Sequence, residues 1–82
     1  MTQQLNIKLL ATDHPEIQIS NNVLIFDSRF LDPMRFSIHT IYGQEVMSGI
    51  VAHGSNSIAL HNLGTGIYEF KLLDFSYRLV VD

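Results

Sequence analysis

Four histidines, His14, His39, His53 and His61, are the first residues whose chemistry invites a site, because imidazole is the commonest metal ligand among side chains. A tetrahedral zinc centre is usually assembled from local pairs such as His-x3-His. The spacing of these four contains no such pair. His39 and His61 can meet only if their strands are neighbours, so the plain reading, histidines on turns or an exposed face, is preferred to a metal site. Asp13-His14-Pro15-Glu16 gathers ligand-type side chains in one stretch, yet Asp and His ahead of Pro are equally ordinary turn chemistry.

Nucleophilic catalysis needs a hydroxyl or thiol, a base and an orienting group. The chain has no cysteine and no Gly-x-Ser-x-Gly elbow. Ser48-Gly49 and Ser55 lie in strand and turn contexts that need no catalytic explanation. Gly64-Thr65-Gly66 is too short for a phosphate loop and runs into a strand pattern rather than a helix whose N-terminus could hold an anion. A pair of carboxylates for glycosidic chemistry needs a cleft that a domain this small has little room for. These residues therefore predict no enzyme, no cofactor and no metal.

The elements that would position any site are short and apolar by alternation. Leu5, Ile7 and Leu9 alternate with polar residues, and Ile17 and Ile19 do the same before Asn21-Asn22, which suits a hairpin returning through Val23–Phe26. Asp27 to Pro33 reads as a connection between sheets. Phe36, Ile38, Thr40 and Tyr42 fall on one face of a strand, with Glu45 to Ala52 as its partner and Gly49 as a possible bulge. His53-Gly54-Ser55-Asn56 reads as a turn, and so does Asp74-Phe75-Ser76, between the strands Ile67–Leu73 and Tyr77–Val81. About seven or eight strands with no helical period predict an all-β, Ig-like Greek-key sandwich, a single domain over residues 1–82.

Composition limits the partners. Five basic against eight acidic residues give a net charge of −3 without a run of like charge, which argues against a surface built to neutralise nucleic-acid phosphates. No stretch approaches the roughly 18 apolar residues of a spanning helix. Met1 to Leu5 lacks the basic and apolar pattern of an export signal. The expected location is the cytoplasm at synthesis, or a virion.

The most specific local feature is Leu63-Gly64-Thr65-Gly66-Ile67-Tyr68, where a tyrosine opens a strand just after a corner. In Greek-key sandwiches such a tyrosine turns inward and its hydroxyl bonds upstream backbone. Leu63, Gly64, Gly66 and Tyr68 are thus expected to form a structural corner, with Gly66 supplying positive φ or close approach, in preference to Tyr68 being a ligand contact. With this corner, the strand Phe36-Ser37-Ile38-His39, the turn Tyr42-Gly43-Gln44-Glu45-Val46, the segment Asn56-Ser57-Ile58-Ala59-Leu60 and the last strand, residues 36–81 resemble the C-terminal sorting domain of type IX secretion cargo proteins. That family's Tyr-Pro-Asn-Pro-like opening is absent, and the chain finishes Val80-Val81-Asp82 rather than on basic residues. The resemblance implies an Ig-like sandwich, recognition by an export machinery, and a cell-surface or extracellular destination.

Apolar residues outside the alternation are candidates for an interface. Met34, Met47 and Phe75, the last in an expected tight turn, form one set, and Phe30 and Leu31 in the long connection form another; gathered at one end of the sandwich the two would form a docking surface. The expected function is a non-enzymatic structural or docking module joining a larger protein assembly through strand edges or an apolar end, such as an accessory or decoration subunit of a phage virion. Its partner would be another protein or a second copy. The alternatives are the type IX sorting domain and a small carbohydrate- or metal-binding module.

Overall fold

A computed structural model describes residues 7–10, 16–60 and 63–82. Eight strands fill most of this length, and the described residues contain no helix. They are β1 (Ile7–Leu9), β2 (Ile17–Ser20), β3 (Val23–Ser28), β4 (Met34–Thr40), β5 (Glu45–Val51), β6 (Gly54–Ala59), β7 (Gly66–Leu72) and β8 (Phe75–Val81). One antiparallel sheet has the order β1-β8-β7-β4-β5 and the other β2-β3-β6. The chain changes sheet between β1 and β2, β3 and β4, β5 and β6, and β6 and β7.

Alternation explains why these strands form and which way they face. Phe36 and Ile38 on β4, Tyr68, Phe70 and Leu72 on β7, and Tyr77, Leu79 and Val81 on β8 are buried, while Arg35, Lys71 and Arg78 between them are exposed. Ile17, Leu24 and Phe26 supply the buried face of the smaller sheet. Phe70, fully buried, is the centre of this core: its ring lies 5.3 Å from Phe36, 6.0 Å from Tyr77 and 5.8 Å from Phe26 of the opposite sheet. The rings therefore join the two sheets in a sandwich-like packing.

Three boundaries differ from expectation. Strand β3 runs on through Asp27 and Ser28, which pair with Ser55 and Gly54 of β6. The expected turn at residues 53–56 shrinks to Ala52-His53 because the Asn56 side chain takes over its hydrogen bonding. Asn56 Oδ1 accepts the Ala52 N–H at 2.9 Å, and its Nδ2 donates to the carbonyls of Ala52 and Gly54 at 2.8 and 2.9 Å. The β7–β8 hairpin turns at Leu73-Asp74, with Leu73 at φ 53°, so Phe75 and Ser76 belong to β8 and not to the turn. Asn21 and Asn22 do adopt positive φ, 51° and 63°, in the β2–β3 hairpin, as a two-residue turn matched to the strand twist requires.

The corner forms as its residues predict. Tyr68 Oη donates to the Gly64 carbonyl at 2.8 Å, Leu63 is buried, and Gly66 sits at φ 154°. Gly49 has a different role from the bulge expected of it. The register shift lies opposite Ile38/His39, whereas Gly49 faces Phe36, and a Cβ there would stand 2.7 and 2.9 Å from ring atoms Cε2 and Cζ. That ring is held against Phe70 and has little freedom to yield.

Two stability outcomes follow from these contacts. Gly49→Ala should lower the unfolding free energy by about 1–3 kcal/mol through overpacking. Tyr68→Phe should cost about 1 kcal/mol, because the exposed Gly64 carbonyl can turn to water. Urea titration of both variants with unchanged m-values checks them.

Candidate functional site

Opposite the corner end, the β3–β4 connection, the β5–β6 turn and the β7–β8 hairpin come together. Ser28, buried at the end of β3, accepts the Phe30 N–H on Oγ at 3.2 Å, and His53 Nδ1 donates to the Phe30 carbonyl at 3.1 Å. Phe30 is thereby fixed on both backbone sides, and its ring lies 6.2 Å from that of Phe75. Phe75 belongs to the inward face of β8, opposite Leu72. It stays 47% exposed because it stands at the end of its strand.

Beside this pair is an open groove of about 370 Å³ lined by Glu16, Phe26, Asp27, Arg29, Phe30, Phe75 and Tyr77. It lies where the β8 side of the larger sheet meets the β2–β3 side of the smaller one. Its floor is aromatic, and Glu16, Asp27 and Arg29 bring charge to it. Glu16 is positioned by its carbonyl, which accepts the Asp27 N–H at 2.8 Å. Its carboxylate accepts the Tyr77 hydroxyl at 2.8 Å. Burial first, and then the hydrogen bond to and negative charge of Glu16, push the Tyr77 phenol well above its ordinary range.

The residues expected at an interface divide accordingly. Phe30 and Phe75 are brought together, and Leu31, 84% exposed, follows Phe30 directly. Met34 and Met47 are half-buried and pack against the core instead. Both occupy inward positions of β4 and β5, opposite Val51 and Ile38. The Glu16–Tyr77 pair was not foreseen. It joins residues 61 positions apart, and no local spacing signals such a contact.

The histidines are dispersed. His39 lies on the outer face of the larger sheet, 3.9 Å from Glu45 and with Ser37 Oγ 3.5 Å from Nδ1. His53 serves the Phe30 carbonyl. His14 and His61 lie outside the described residues, and any His39–His61 contact does too, as do Asp13 and Pro15. No group of three His, Cys, Asp or Glu able to hold a metal occurs among the described residues. Comparison with protein-family models, curated proteins and solved structures gives no match.

Because the folded chain keeps Tyr77 protonated beyond the unfolded pKa of 10.0, the stability this contributes is complete below pH 10 and is lost as pH rises toward the raised folded value. Urea midpoints measured across that range should fall more steeply for the parent than for Tyr77→Phe. Equal slopes would show that Tyr77 is not the group responsible.

Proposed function

We propose that the chain is a non-enzymatic docking module, an Ig-like Greek-key sandwich that seats its apolar end on a larger protein assembly. The observation that carries this reading is the meeting of Phe30, in the β3–β4 connection, with Phe75, at the start of β8, beside an open aromatic groove. Leu31 and Leu73, both largely exposed, extend the apolar surface at the same end. Exposed aromatic anchors beside a groove with a charged border have the anatomy of an interface core and rim. A groove this size holds one or two partner side chains, with Glu16 and Asp27 suited to a cationic neighbour and Arg29 to an anionic one.

The reading is tested by sedimentation of extracts from the native host carrying a tagged chain. The parent should travel with particles far larger than 9.3 kDa, and Phe75→Ala should weaken that association roughly thirtyfold, the loss of about 2 kcal/mol typical of an aromatic hot spot. A parent that remains at its own mass throughout would overturn the assembly role. Export of a reporter fused to the chain by a type IX-secreting bacterium would replace it with the sorting role.

A further inference from the structure

We infer that the apolar end takes a basic protein partner, which lays an arginine side chain along the aromatic groove with its guanidinium toward Asp27 and Glu16. The inference rests on the docking reading and names the chemistry of the partner.

Charge is divided unevenly over the sandwich. Four of the chain's five basic side chains, Lys8, Arg35, Lys71 and Arg78, stand on the outer face of the larger sheet. Three of them are engaged by acids: Lys8 by Asp82 at 4.0 Å, Arg35 by Glu45 at 3.5 Å and Arg78 by Glu69 at 3.6 Å. The acids at the groove end are placed differently. Asp27 on β3, Asp32 in the β3–β4 connection and Asp74 in the β7–β8 turn are all exposed, and none makes an ion pair among the described residues. With Glu16 they set four carboxylates around the apolar end against the single cation Arg29. Arg29 forms no ion pair among the described residues either, so it leaves that negative charge unneutralised.

The rings make a cation the fitting occupant as well. An aromatic face attracts a cation held over it, and Phe30 and the 47% exposed Phe75 lie beside the carboxylates. A guanidinium is planar and can stack on a ring while its N–H groups bond a carboxylate. A groove of about 370 Å³ has room for one such side chain with its apolar stem. Glu16 is already fixed, since its carbonyl accepts the Asp27 N–H and its carboxylate the Tyr77 hydroxyl, each at 2.8 Å, so binding costs little ordering there. The same negative charge repels nucleic-acid phosphates and anionic lipid headgroups. A basic protein surface is the complementary partner.

The peptide acetyl-Gly-Arg-Gly-amide, titrated into the isotope-labelled chain, tests this by NMR. The backbone amides of Asp27, Phe30, Asp74 and Phe75 should shift, and those of Ser37 and Ser48 on the far face should not. The same peptide with citrulline for arginine keeps the shape without the charge and should bind about fivefold more weakly. Asp27→Asn should weaken the arginine peptide about threefold, whereas Arg29→Ala, which removes a like charge, should tighten it by a similar factor. Salt should weaken all of this binding. Absence of shifts at the groove end, equal binding of the citrulline peptide, or Arg29→Ala weakening the complex overturns the inference. A parent that doubles its mass in light scattering and loses the dimer in Phe75→Ala also overturns it, by giving the end to a second copy. Sedimentation separates the two readings. If Phe75→Ala is released from host particles while the triple variant Asp27→Asn, Asp32→Asn, Asp74→Asn is retained, docking stands and the basic partner falls. A parent that sediments alone yet binds the arginine peptide overturns docking and supports the groove as a guanidinium site.

Discussion

The contact between Phe26 and Phe70 is the constraint on which the rest of the sandwich depends. Each sheet alone would expose an apolar face, and a chain without cysteine has no disulfide to supplement the packing. Phe70 belongs to the sheet that carries Phe36 and Tyr77, and Phe26 reaches into all of them except Phe36 from the opposite side. Burying one such ring contributes roughly 2–3 kcal/mol, and the four together are a large part of what a chain this small can gather. The centre is consequently crowded enough that Gly49 is needed simply to make room for Phe36.

That crowding also accounts for the two ends. At one, Tyr68 closes the passage into β7 with a hydrogen bond back to Gly64. At the other, the aromatic layer outlasts the strands that would cover it, leaving Phe75 half-exposed against Phe30 and Tyr77 lining the groove. The candidate site is thus the uncovered margin of the core. The Tyr77 phenol that lines it is strongly perturbed because it combines core burial with a carboxylate neighbour.

Most of the fold was legible because strand alternation and corner chemistry are local. The Tyr68 corner and the Asn21-Asn22 hairpin needed only a few consecutive residues to recognise. The boundaries at Gly54 and Phe75 were not legible, for a physical reason. Turn-forming residue types were read as turns, whereas Asn56 spends its side chain on the turn and leaves its backbone to the sheet. The candidate site was half legible. Phe30 and Phe75 stood out as apolar residues outside the pattern, but Met34 obeys the alternation of β4, and Glu16 finds Tyr77 only through the tertiary fold.

The pairing of the first and last described strands has a mechanical consequence. Ile7 lies opposite Val81 and Leu9 opposite Leu79, so β1 enters and β8 leaves at the same end of their ladder. Tension applied through the two would open this short ladder like a zipper, one bond at a time, rather than loading all of its bonds together in shear.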